Sequence, residues 1–210
     1  MRLILIVLMA LNCATYGQTG AWQKLTMEKA NSAKEAVYLS TQEKTIIYYI
    51  NLVRMNPALF EQDYLKKYLV KFGTKPGDEN RWIASLKSEL KSTRPMNPVM
   101  PQKDLYHTAR KHAQDMGLSG KSGHKSSKGK SYKDRMKQSA KMYYEFFENC
   151  QYGLGDPLHI VIDLLIDDSI DGTEHRRAIL NPSVQYIGVS MHPHIVYKHN
   201  SVIELGGRLN

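Results

Sequence analysis

Apolar residues recur at helical spacing from Ile46 to Val53 and again from Leu59 to Phe72, with Asn56-Pro57 between the two runs. Ser40 and Glu43 form a Ser-x-x-Glu capping box that opens the first run. The residue before a proline avoids helical angles, so the first helix is predicted to stop at Asn56. Pro57 suits the first turn of a second helix, which Gly73 closes. Residues 74–100 hold three of the eight prolines and no clear period. They predict a connection with one short helix around Trp82–Leu90. Leu105, Ala109, His112 or Ala113, and Met116 then mark a third helix over Gln102–Met116. Gly117, Gly120 and Gly123 break it into a loop running to about Ser131, where Ser131-Tyr132-Lys133-Asp134 starts a short fourth helix.

Beyond this point the period changes. Tyr143–Gln151 reads as a strand or extended segment. Pro157 begins a helix through LHIVIDLLIDD, a loop follows at Ser169–Thr173, and a short helix runs through Leu180 until Asn181-Pro182 ends it. Tyr186–Met191 and Ile195–Leu205 alternate like two strands flanking His192-Pro193-His194. Helices first and strands late predict an α+β domain, layered α/β/α, and not repeated βαβ units.

The N-terminus adds a compartment. Met1-Arg2, an apolar stretch from Leu3 to Leu11 and small residues up to Gly17 read as a secretory signal peptide over residues 1–17. That run is too short for a permanent membrane span. Residues 18–39 read as an N-terminal extension or a short first helix, and residues 40–210 as the domain. The expected location is secreted, extracellular or periplasmic. Cleavage removes Cys13 and leaves Cys150 as the one thiol, so no intramolecular disulfide is expected, and Cys150 reads as a small buried hydrophobe.

Charge is the next signal. The chain carries a formal +9, and eight Lys or Arg residues lie from Lys121 to Lys141 against Asp134 alone. A basic loop over residues 121–137 suits an anionic surface or cell-envelope component, or simply a solvated face. The export signal, and the lack of interleaved aromatics in residues 118–131, argue against nucleic acid.

Four short pieces carry candidate chemistry: Gly123-His124, Glu148-Asn149, Asp167-Asp168 and His175-Arg176. Two histidines with two or more carboxylates are the raw material of a divalent-metal site or an acid/base cleft. No pair has single-helix metal spacing, so only the fold can bring them together. His124 follows a glycine-rich loop, an open position, whereas His112 lies within a helix and reads as a packed or surface residue. Glu148 sits among Phe146, Phe147 and Cys150, where a carboxylate needs a histidinium, an arginine or a metal. Helical phase puts Asp167 on a polar stripe with His159 and Asp163. Asp168 falls about 100° further round, toward the core side, so it is the preferred acid and Asp167 the alternative. His175 stands at a helix N-terminus, which favours a neutral imidazole. Arg176 is a secondary candidate, for an anionic ligand or for an ion pair that pins the loop.

Two other chemistries fail on spacing. GHKSSKGKS has one residue too many for a phosphate-binding loop and no buried strand before it. No HExxH occurs, and neither Ser126 nor Ser131 sits in a nucleophile elbow.

In order, INLVRMNPALF, L-x3-ARKHAQDM, GH-x-S, EN-x3-G, LLIDD-x6-HRRAILNP and IGVSMH resemble the CAP superfamily in its bacterial, cysteine-poor form, over about residues 43–206. The resemblance implies a three-layer α-β-α sandwich with a central, mostly antiparallel sheet. It also implies a cleft of two histidines and two acids: His124, Glu148 and His175, with the second acid on Asp168. Family function is diverse, so three readings follow. The first is a non-enzymatic binding protein holding Zn²⁺, or Mg²⁺ or Ca²⁺ less tightly. The second is a metal-dependent hydrolase of peptide or cell-wall bonds. The third is a structural tetrad with a surface- or lipid-binding role.

Overall fold

The computed structural model describes residues 21–75, 77–137, 139–168 and 172–208. The expected leader at residues 1–17 lies outside them, as do residues 169–171 of the loop before His175. The elements run α1 (Lys24–Ala30), α2 (Thr41–Met55), α3 (Pro57–Phe60), a π-helical turn (Glu61–Leu65), α4 (Lys66–Lys71), α5 (Arg81–Ser92), β1 (Met100–Pro101), α6 (Lys103–Ser119), α7 (Tyr132–Met136), a 3₁₀ turn (Ser139–Met142), β2 (Glu145–Tyr152), α8 (Pro157–Ile166), α9 (Glu174–Ile179), β3 (Tyr186–His194) and β4 (Lys198–Gly207).

The sheet has the order β1-β3-β4-β2, parallel at β1–β3 and antiparallel elsewhere. Strand alternation sorts its side chains into two layers. Ile187, Val189, Ile203 and Leu205 face the larger core, with Ile46, Ile47 and Ile50 of α2 and Ile160, Val161 and Leu164 of α8. Burying one such aliphatic side chain contributes about 1.5–3 kcal/mol. On the other face Val202 and Cys150 pack against Ala109 and Ala113 of α6. Gly188 lets α6 lie flat on the sheet, because a Cβ there would collide with the backbone of Leu105 and Tyr106.

The capping box at α2 forms as the sequence predicts, and it reaches further. Glu43 Oε2 accepts from Ser40 N at 2.7 Å while Oε1 accepts from Met191 N of β3 at 3.0 Å. Of the two readings of residues 18–39, the structure has the short first helix, α1, and Ala30, Ala33 and Leu39 join the main core. One expectation needs correction. His192-Pro193-His194 lies inside β3, not between the strands. The turn falls at Ile195–Tyr197 because the buried His194 Nδ1 accepts from the amides of Val196 and Tyr197, both at 3.1 Å.

Candidate functional site

β2 is an edge strand, and the site straddles it. Neighbouring residues of a strand point to opposite faces, so Glu148 and Asn149 serve different layers. On the α6 side, Glu148 Oε1 accepts from His124 Nδ1 at 2.9 Å. On the far side, Asn149 donates to the His175 carbonyl at 3.0 Å and so anchors α9. The two imidazoles meet across this edge with ring centroids 6.4 Å apart.

The loop that delivers His124 is pinned at each end. The Tyr152 hydroxyl accepts from Gly123 N at 3.0 Å, and Gly123 takes φ = 95°, a conformation that suits glycine. Arg135 Nη2 donates to the His124 carbonyl at 3.0 Å. Arg135 follows from the Ser131–Asp134 capping box, which starts α7 and aims the guanidinium inward. Its Nη2 also meets both oxygens of Glu148, at 2.6 and 2.5 Å. Burial alone would raise the Glu148 pKa, but His124 and Arg135 outweigh it and hold the carboxylate below its usual range.

Directly across the β2–β4 ladder lies Glu204, fully buried. Burial and the charge of Glu148 push its carboxyl well above the ordinary range. Two carboxylates this close disfavour ionising both, and of the pair it is Glu204 whose neutral form is favoured.

The second acid corrects the sequence expectation. α8 ends at Ile166, and Asp167 adopts φ = 50°, ψ = 57°, a left-handed turn. Helical phase cannot be extended through that turn. Asp167 swings inside, 4% exposed, and Asp168 points to solvent. Asp167 Oδ1 accepts from His175 Nδ1 at 2.8 Å, and Oδ2 from the amides of His175 and Arg176 at 2.8 and 3.3 Å. Burial opposes ionisation, yet the bonds from His175 and the amides hold the pKa of Asp167 low.

Arg176 does not face the cleft. It is fully buried and donates to the carbonyls of Leu165 (2.6 Å) and Ile166 (2.8 Å), to Ser85 Oγ (3.0 Å) and to Glu89 (3.1 Å). It rivets the end of α8 to α5, the loop-pinning alternative.

His112 is packed and Cys150 sits against the α6 cluster, as their sequence positions predict, and both also lie beside Glu148. Single donor atoms of His112, Glu148 and Cys150 fall within 4.8 Å of one another, a group able to hold a metal ion. His112 Nε2 donates to the Gly123 carbonyl at 2.9 Å, which leaves the buried Nδ1 lone pair unpartnered. Burial lowers the His112 pKa, and burial with Glu148 and Glu204 raises that of the Cys150 thiol. A signal for Cys150 existed: once β2 is read as a strand, positions 148 and 150 share a face.

Residues 47–197 match the profile of the cysteine-rich secretory protein family, CAP. A search of curated proteins returned no match. Among solved structures, an outer surface protein of Borrelia burgdorferi is 16% identical, with a TM-score of 0.46 over 71% of this chain and 96% of its own. The venom allergen-like protein 4 of Schistosoma mansoni is 10% identical, with a TM-score of 0.48 over 82% of this chain and 92% of its own. An extracellular protein of Bacillus anthracis containing an SCP domain is 16% identical, with a TM-score of 0.44 over 60% of this chain and 39% of its own.

Proposed function

The chain belongs to the CAP family of cysteine-rich secretory proteins, and from that premise we propose that it is an exported, non-enzymatic binding protein whose cleft holds one divalent cation between His124 and His175. The observation that carries this reading is the carboxylate behind each imidazole. Glu148 takes His124 Nδ1–H and Asp167 takes His175 Nδ1–H, so each ring keeps its Nε2 lone pair for a ligand. Carboxylate–histidine–metal pairing is the usual way a protein fixes the tautomer of a ligating imidazole.

The donor set selects the ion. With both acids turned to the rings, the cleft offers nitrogen before oxygen, which suits Zn²⁺ better than Mg²⁺ or Ca²⁺. Two imidazoles on one tetrahedral Zn²⁺, at about 2.0–2.1 Å from each nitrogen, put their centroids roughly 5 Å apart. The rings at 6.4 Å therefore draw together on loading. The inner group of His112, Glu148 and Cys150 is the weaker ion site, because Arg135 already covers both oxygens of Glu148. The same contact argues against a hydrolase, since an arginine held on the Glu148 carboxylate lowers its basicity.

Export by residues 1–17 accords with the family, and among the described residues no helix is long and apolar enough to cross a membrane. The basic loop at 121–137 gives the exported protein a face toward anionic components of the envelope.

Calorimetry tests the cation reading. Zn²⁺ binding with Kd below about 10 μM near pH 7.5 is expected, a free energy of roughly −7 kcal/mol. Loss of that binding in the His124→Ala/His175→Ala variant supports the site. Absence of binding, or binding that survives the double substitution, overturns it.

A further inference from the structure

A second cavity, of about 870 Å³, opens between α6 and residues 126–135, with Met142 at its edge. Neither His124 nor His175 lines it. Its size falls within the range of small-molecule sites, roughly 300–1,000 Å³.

The wall carries charges of both signs, which differ in how far their hydrogen-bonding is met. Asp115 accepts from Ser127 N at 2.6 Å and from the Ser127 hydroxyl, Asp134 from the Ser131 hydroxyl at 2.6 Å, and Asp104 from the Tyr143 hydroxyl at 3.0 Å. All three carboxylates keep their charge but already have protein donors on them. Lys111, Lys128 and Lys130 line the same wall, and among the described residues their ammonium groups make no salt bridge or hydrogen bond. Arg135 lies among the lining residues with its side chain only 10% exposed; its Nε and Nη1 are buried without a hydrogen-bond partner, Nη1 standing 3.9 Å from Glu204 Oε1. A buried guanidinium with unspent donors, beside three unpaired ammonium groups, is a seat for an anion.

His112, which also lines the cavity, adds the opposite polarity. Its Nδ1 is an unpartnered acceptor, because Nε2 is committed to the Gly123 carbonyl. An acceptor wants a hydroxyl, not an anion. No Phe, Tyr or Trp lines the cavity among the described residues, so a nucleobase has no stacking platform there. We propose that this cavity binds a sugar or polyol carrying a phosphate or carboxylate group, the anion toward Arg135 and the lysines and a hydroxyl toward His112. The cavity adjoins the cation cleft through Arg135, which also holds Glu148 and the His124 carbonyl, but Lys111 and Lys128 contact neither cleft histidine, so their substitution separates the two sites.

Calorimetry on the full chain at low salt, with glucose 6-phosphate, glucuronate, glucose and inorganic phosphate, tests it. Glucose 6-phosphate or glucuronate should bind saturably with Kd below about 1 mM. Glucose should not bind, and inorganic phosphate should bind at least about ten-fold more weakly, because it lacks the hydroxyls. A glycerol-phosphate oligomer, run in parallel, separates the sources. Tighter binding than glucose 6-phosphate assigns the site to an envelope polymer, and weaker binding assigns it to a free metabolite. The Lys111→Glu/Lys128→Glu variant alters two exposed residues, and should keep its circular dichroism and Zn²⁺ binding while losing affinity for the sugar phosphate about ten-fold or more. Three outcomes overturn the proposal: no saturable binding of any anionic sugar, inorganic phosphate as tight as glucose 6-phosphate, or affinity unchanged in the lysine variant.

Discussion

Asp167 holds His175 by two routes at once, through the ring at Nδ1 (2.8 Å) and through the backbone amide (2.8 Å). The acid thereby sets both the tautomer of the imidazole and the first turn of the helix that carries it. Three N–H donors converge on one carboxylate, so Asp167→Asn should lower unfolding free energy by about 1–3 kcal/mol in urea titration. Asp168→Asn, at an exposed position, should change it by less than about 0.5 kcal/mol. The reverse ranking would restore Asp168 to the cleft. Because the folded pKa of Asp167 is depressed, its contribution is present above the ordinary aspartate pKa of about 3.9 and is lost as pH falls below it.

Glu204 predicts the opposite slope. Its folded pKa is raised, so its stability contribution is full below the unfolded glutamate pKa of about 4.3 and is lost as pH rises from there toward the folded value. Glu204→Gln keeps the shape and removes that loss. The variant should be more stable than the parent at pH 7, and the gain should vanish near pH 4. A destabilised variant at pH 7 would mean that Glu204 is ionised in the fold.

Arg176 is buried among carbonyl acceptors that only a multi-donor cation can satisfy together. Arg176→Met should cost about 3–5 kcal/mol, since it strips partners from Glu89 and the α8 terminus. Arg176→Lys should recover only part of that in thermal melts. Full recovery by lysine would show that charge alone matters there.

Asp115 ties the loop before α7 to α6 through Ser127. Burial raises its pKa, but the Ser127 bonds dominate and lower it, so this tether holds above about pH 4 and releases in acid. Asp115→Ala should speed tryptic cleavage at Lys125 and Lys128 at neutral pH. An unchanged cleavage rate would show the loop to be held by other contacts.

Much of the fold was legible because its signals are local. The Ser40–Glu43 box, the Asn56-Pro57 break and the short helix after Ser131 each depend on a few adjacent residues. What sequence reading missed depends on geometry that local patterns do not carry. Helical phase favours Asp168 only while the helix continues, and the left-handed Asp167 ends it. β1 has two residues and gains its identity only by pairing with Tyr186 and Ile187. Arg135 and Glu204 enter the site through contacts thirteen residues or a whole strand away from Glu148. A trace of Glu204 was present, a lone acid in the apolar strand SVIELGG on the same face as Val202.

The central claim is that His124 and His175 hold the cation through nitrogen, with the acids behind them. X-ray absorption at the zinc edge of the loaded protein tests it most directly. The account predicts nitrogen or oxygen scatterers at about 2.0–2.1 Å, with the multiple scattering of two imidazoles and no sulfur. A sulfur shell at about 2.3 Å would contradict it, because it would put the ion against Cys150 and His112 instead.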